Sequence, residues 1–215
     1  MPRRPRERPS ARLSSRKQPK QARSTELVAA ILDAAVQVLA KEGAQRFTTA
    51  RVAERAGVSV GSLYQYFPNK AAILFRLQSD EWRQTSELMR GILEDTKPPR
   101  ERLRRLVHAF IRSECDEAAV RVALGDAEPL YRNAPEAREA RASGEGTFQR
   151  FMLEALPGAS NATRELAGDL ITTTMSEVGR RFSEVPRTRA EIKAYADTVA
   201  DMLCGYFGAL AQRYS

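Results

Sequence analysis

What this chain of 215 residues lacks narrows its chemistry before any motif is read. It has a single histidine, His108, and two cysteines, Cys115 and Cys204. Two thiols make no disulfide framework, and so low a number suits a reducing compartment. Neither has a resolving thiol at close spacing, so each reads as a core residue rather than a redox switch. His108 and Cys115 stand seven positions apart, two helical turns or ~10 Å, too far for a nucleophile to meet its base. Zinc-ligand spacing, a phosphate-binding glycine loop and a G-x-S-x-G turn are missing. No catalytic centre, cofactor or metal site is therefore expected. No apolar run approaches the roughly 18 residues of a membrane helix, and no apolar segment follows the basic N-terminus. A soluble, cytoplasmic protein without membrane contact is expected. The sequon Asn161-Ala162-Thr163 then reads as the opening of a helix.

Acidic residues are nearly absent from the first stretch of the chain, and this locates the net charge of +8. Residues 1–23 carry nine arginines and lysines against one acid, Glu7, whereas residues 24–215 hold 26 basic and 26 acidic groups. The basicity belongs to a tail, not to the folded body. With Pro2, Pro5, Pro9 and Pro19 and almost no large apolar side chain, residues 1–23 read as disordered. The prolines argue against the amphipathic helix of an organellar transit peptide. Sequence-independent attraction to phosphates is the preferred role, and an inert solvated extension is the alternative.

Alternating strand patterns are also missing. From residue 24 onward the apolar residues recur at three- and four-residue steps, giving an all-α chain of about nine helices. A first helix over about 25–42 stops at Gly43, and a second runs from Thr49 to Ala56 behind a Thr48 cap. Gly57 makes a turn, a third helix covers Val60 to Phe67, and Pro68 ends it. Asn69 caps a fourth helix extending to about Asp95, and Pro98-Pro99 open a fifth. Residues 120–134 read as short or irregular, and Pro135 to Ala155 as one helix bent near Gly144 and Gly146. Of the last two helices, the first carries a stripe that includes Leu166, Leu170 and Met175. The second opens with a capping box, Thr188 to Glu191. The expected domains are a tail (1–23), an N-terminal three-helix unit (24–84) and a helical body (85–215).

The stretch TTARVAERAGVSVGSLYQYFPNK, Thr48 to Lys70, is a helix–turn–helix pattern. Its crossing needs a small residue, Ala53, and a residue free to take positive φ, Gly57. Val52, Ala56, Val58, Leu63 and Phe67 can fill the shared core. At 100° per residue Leu63 and Phe67 face inward, Gly61, Ser62 and Gln65 lie opposite, and Tyr64 and Tyr66 fall on the flanks. In a major groove, the opposite face meets base edges and the tyrosine hydroxyls meet phosphates. The angle leaves open whether Val60 packs inward or touches a thymine methyl.

FTTARVAERAGVSVGSLYQYFPNKAAIL resembles the DNA-binding signature of the TetR family of transcriptional regulators. The resemblance rests on Thr48, Thr49, Gly57, Val58, Ser59, Leu63, Tyr64, Tyr66, Phe67, Asn69 and Lys70, and covers about residues 24–74. It implies an N-terminal helix-turn-helix domain joined to a C-terminal ligand-binding and dimerisation domain. It also implies backbone contacts to double-stranded DNA from Thr49, Tyr64 and Lys70, and base readout around Val60, Gly61, Ser62 and Gln65. Where some members carry a base-reading arginine this chain has Ala50, so that contact is missing or replaced by Arg51 or Arg55.

The final helix carries apolar residues around more than half its circumference, which suggests a second partner surface. Tyr195, Val199, Met202, Gly205, Tyr206 and Leu210 are the candidate homodimer contacts. Two recognition helices would then meet a palindromic operator about one duplex turn, ~34 Å, apart or a multiple of it. The resemblance further implies a pocket for a small-molecule effector, with Trp82, Phe110, Tyr131, Phe148, Phe151 and Met175 as candidate lining residues. Glu114, Asp116, Glu117, Asp126 and Glu128 read as a solvated acidic face. The expected function is a dimeric repressor released by that effector. The alternative is a ligand-independent architectural protein that binds DNA through its tail.

Overall fold

A computed structural model describes residues 22–142 and 146–214. The expectations for the basic tail up to residue 21 and for Gly144 lie outside the described residues. The helices are α1 (Ala22–Arg46), α2 (Thr49–Ala56), α3 (Val60–Tyr66), α4 (Lys70–Leu93) and α5 (Pro99–Asp116), then α6 (Ala118–Ala127). A 3₁₀ turn (Glu128–Leu130) follows, then α7 (Pro135–Ala142), α8 (Gly146–Ala155), α9 (Asn161–Ser183) and α10 (Arg189–Arg213). There is no strand among the described residues, and no helix there is long and apolar enough to cross a membrane.

The start and stop points follow local chemistry. Gly43 takes φ 72° and kinks α1 one turn before its end. The Thr48 hydroxyl accepts from the Arg51 amide, Asn69 Oδ1 accepts from the Ala72 amide at 2.9 Å, and Pro98-Pro99 open α5. Ser160, one residue before the sequon, caps α9 by accepting from the Thr163 amide at 3.1 Å. Thr188 and Glu191 form the expected reciprocal capping box on α10.

Two compact units emerge, one of Met1–Trp82 with Val122–Ala142, the other of Arg83–Arg121 with Ser143–Ser215. This differs from the continuous body expected over 85–215. The reason lies in α6 and the turn after it. Ala123, Leu124, Ala127 and Tyr131 are buried, the Tyr131 ring packs 5.8 Å from that of Phe75, and its hydroxyl donates to the Leu124 carbonyl. Residues of the first unit bury this segment.

In the second unit, α5 is the central helix. Leu103, Leu106, Val107 and Ile111 are buried with Ile171 and Met175 of α9 and with Ala200, Leu203 and Phe207 of α10. At Gly179 of α9 a methyl group would stand 3.0 Å from the Phe110 ring, so glycine lets the two helices approach closely. Glu114 is buried rather than part of a solvated face, because Arg121 of α6 donates to it at 2.7 Å. Arg102, only 2 % exposed, donates to the Leu93 carbonyl at the end of α4 and makes a two-pronged pair with Glu154 of α8. Its guanidinium lies 5.3 Å from the centre of the Phe151 ring. In the α8–α9 turn, the Arg164 guanidinium gathers the carbonyls of Leu156 and Ala159.

Two stability tests follow from this packing. A methyl group at Gly158 would collide with the backbone carbonyl of Tyr214, so Gly158→Ala is expected to lose about 1–3 kcal/mol in chemical denaturation. Gly91→Ala, in an open stretch of α4, is the contrasting substitution and is expected to lose nothing. Arg102 holds the Glu154 carboxyl below its ordinary value of 4.5 by a hydrogen bond. A depressed carboxyl pKa adds stability above the unfolded value, and that stability is lost as pH falls through the folded one. Glu154→Gln is therefore expected to be less stable than the native chain at neutral pH, with the difference closing as the pH falls below the ordinary carboxylate range. A gap that is independent of pH in parallel denaturation curves would contradict it.

Candidate nucleic-acid interface

The turn between α2 and α3 is built from backbone bonds. Gly57 sits at φ 68°, ψ 29°, and the Val58 amide donates to the Ala53 carbonyl at 3.0 Å. Ser59 caps α3 by accepting from the Ser62 amide at 3.0 Å, and the two serine hydroxyls lie 2.8 Å apart. Ala53 and Val52 are buried beneath this turn.

A helix as short as α3 owes its position to its buried side. Leu63 and Phe67 are buried as expected, but so is Tyr66, at 6 % exposure. Tyr66 is thus buried with the core face rather than exposed on a flank. At 100° per turn step it lies only about 60° from Leu63, and α3 ends there, with Phe67 already extended at φ −118°. Outward stand Val60 and Tyr64, each 39 % exposed, with Gly61 and Gln65 also exposed and Ser62 half-buried. Val60 therefore faces out. A methyl group at Gly61 would meet the Ser59 hydroxyl at an ordinary 3.7 Å, so the fold itself leaves room for a side chain there.

Beside this face the Thr49 hydroxyl, at the first position of α2, lies 3.1 Å from the Tyr64 hydroxyl. Lys70 is exposed at the start of α4. Arg51 and Arg55 are turned to α1 instead: Arg51 pairs with Glu42 and donates to the Arg46 carbonyl, and Arg55 donates to Gln37 at 2.7 Å. Both brace α2 rather than filling the place left by Ala50.

The expected effector-lining residues are divided between the two units. Trp82 and Tyr131 belong to the first unit, whereas Phe110, Phe148, Phe151 and Met175 belong to the second. Phe110 packs against Gly179, Phe151 stacks on Phe207 at 5.9 Å, and Met175 is buried in the core. Phe148 alone among them borders a cavity of about 650 Å³ between the end of α4, α8 and α9. Its apolar wall adds Met89, Met152 and Leu153, residues that a core stripe cannot distinguish from a pocket lining. Glu165 and Asp169 stand at its edge.

The expected dimer contacts also divide. Val199 and Leu210 are buried in the protomer core, so they have little surface left for a partner. Tyr195 is half-buried, stacked 3.8 Å from Phe182. Met202 is 52 % exposed, Gly205 is exposed, and Tyr206 is partly so. Leu166 and Leu170 of α9, in sequence part of an apparent core stripe, are exposed at 69 % and 48 %. The apolar periodicity alone does not reveal that exposure. His108 makes a 3.2 Å contact with Asp197, burial pushes both thiols up, and the described residues contain no metal-ligating cluster.

This geometry has known counterparts. Residues 98–210 match the family described as tetracyclin repressor-like, C-terminal domain, and residues 31–77 match bacterial regulatory proteins, tetR family. A nucleoid occlusion factor SlmA from Vibrio campbellii is 36 % identical over 99 residues, 45 % of this chain and 50 % of that protein. The fatty acid metabolism regulator protein of Bacillus subtilis is 36 % identical over 73 residues, 34 % of this chain and 38 % of that protein. The chain thus spans half or less of the length of these curated relatives. The solved fatty acid degradation regulator FadR of Bacillus halodurans superposes with a TM-score of 0.65 at 20 % identity, covering 87 % of this chain and 97 % of that one. The two family matches, one over more than half of the sequence and one over the helix–turn–helix, show that this chain belongs to the TetR family of bacterial regulatory proteins.

Proposed function

We propose that this protein is a dimeric transcriptional repressor of the bacterial cytoplasm, binding a palindromic operator and released by a small molecule. The observation that carries this reading is the outward face of α3. Val60, Gly61, Tyr64 and Gln65 are presented on a helix whose other side is fixed by Leu63 and Tyr66. In this reading Thr49, Tyr64 and Lys70 hold phosphates, Gln65 and Ser62 read base edges, and Gly61 admits the duplex closely. Leu166, Leu170, Met202, Gly205 and Tyr206 form the dimer surface, since large apolar groups left exposed on two long helices favour a partner.

The effector site in this reading is the cavity between α4, α8 and α9. At about 650 Å³ it falls in the range of small-molecule sites and combines an apolar wall with a polar edge. Likeness to the Bacillus halodurans regulator is a likeness of fold and assigns no ligand.

Selection of bound sequences from a random duplex pool tests the reading. A repressor is expected to recover one palindrome, preferred by at least ~10³ over random DNA, and to keep that preference after removal of residues 1–23. The competing architectural role, consistent with the charge confined to the tail, requires the opposite: no preferred sequence, and loss of binding with the tail.

Single substitutions separate the roles. Lys70→Ala is expected to weaken binding to every sequence and to flatten the salt dependence by about one phosphate contact. An unchanged slope removes Lys70 from the phosphate contacts. Gln65→Ala is expected to cost roughly 1–3 kcal/mol on the cognate site and to relax preference at one base position. Equal losses on cognate and random duplexes would remove it from the base readers.

A further inference from the structure

On the flank where α5 meets the start of α10 lies a second cavity, about 530 Å³, unrelated to the effector cavity. His108, Arg112 and Asp116 line it from α5, and Arg189, Ile192, Lys193 and Ala196 line it from α10. Its floor is apolar, since Ile192 and Ala196 are buried. Its remaining walls are polar and mainly cationic.

The pairing of these charges is unequal. Asp197 is shared: one carboxylate oxygen accepts from Lys193 at 2.8 Å, and the other lies 3.2 Å from His108 Nε2. Asp197 therefore has its partners, and its carboxyl is held below its ordinary value chiefly by the Lys193 hydrogen bond. Arg112 and Arg189 differ. Neither has a hydrogen-bond or ion-pair partner among the described residues, although elsewhere in this unit Arg102, Arg104, Arg105, Arg121 and Arg150 each meet a carboxylate. Asp116, in the same lining, is paired with neither.

Like charges gathered around a cleft repel one another and focus their field into it, a cost that an anion relieves. A guanidinium offers a planar fork matched to carboxylate or phosphate, and a charge-assisted bond of this kind is stronger than a neutral one. An apolar floor beneath cationic walls suits a ligand with an oxyanion head and a compact apolar body. We infer that the α5–α10 cavity is a binding site for a small organic oxyanion, a phosphate ester or carboxylate, gripped by Arg112 and Arg189 with Lys193 and His108 beside them. Its apolar part rests on Ile192 and Ala196. The site acts independently of whether the effector cavity has been correctly assigned.

Calorimetric titration of the full chain with phenyl phosphate, benzoate and benzyl alcohol tests this. At least one of the two oxyanions is expected to bind saturably with one site per chain, and the one that binds tighter identifies the head group. Benzyl alcohol, which has the body without the charge, is expected not to bind. Arg112→Gln and Arg189→Gln are each expected to weaken the oxyanion by roughly tenfold or more. Arg90→Gln on α4, which removes the same charge outside the cavity, is expected to leave affinity unchanged. Thermal melting of each variant checks that both exposed substitutions leave the fold intact. Failure of both oxyanions to saturate overturns the inference. So does an equal loss in Arg90→Gln and the cavity variants, which would mean diffuse attraction to the basic residues of the chain.

Discussion

The α2–α3 crossing is the constraint on which the rest of this account depends. A seven-residue helix has too few internal hydrogen bonds to hold itself, so α3 exists because Leu63 and Tyr66 are buried and because the turn before it is closed. That closure needs Gly57 in the left-handed region and Ala53 beneath it. Once these are satisfied, α3 has one free face, and its chemistry is sparse: a valine, a glycine, a tyrosine and a glutamine. Gly61 sharpens this. Because a methyl group fits there without conflict, the absence of a side chain is not a packing requirement. It is consistent with a surface meant to be approached closely.

Recognition by so few groups places weight on geometry. Arg51 and Arg55 could have supplied strong base contacts, yet they are spent on Glu42, the Arg46 carbonyl and Gln37, fixing α2 to α1. The Thr49–Tyr64 contact holds one candidate phosphate-binding pair before any DNA arrives. Within the second unit, Arg102 plays the comparable bracing role, joining the end of α4 to α8 from the base of α5.

How much of this the sequence disclosed depended on the range of the interaction. Gly57, the Thr48 and Asn69 caps and the Thr188–Glu191 box are local, decided within four residues, and each was legible, whereas Gly43, expected to stop the first helix, kinks it and the helix continues to Arg46. The helix–turn–helix was legible because small, glycine and apolar positions agree over a short span. Tyr66 was misread because the angular argument carried α3 one residue too far, as though Phe67 were still helical. The α10 face was harder. Periodicity marks apolar residues but not whether the protomer buries them, so Val199 and Leu210 were taken for contacts while Leu166 and Leu170 passed for core. Glu114 was settled by Arg121 on the following helix, and the segment 122–142 by Phe75 with Gln78, distant in sequence.

The central claim is that placement of two chemically modest helices, rather than the contacts of either, supplies most of the specificity. The most direct test is equilibrium binding to the selected operator and to a version with about five base pairs, half a helical turn, inserted at its centre. Both half-sites stay intact, but they now face opposite sides of the duplex. The account expects affinity to fall toward that for random DNA, by ~10² or more. Affinity within about twofold of the parent operator would mean that each half-site is recognised by its own contacts, contradicting the account.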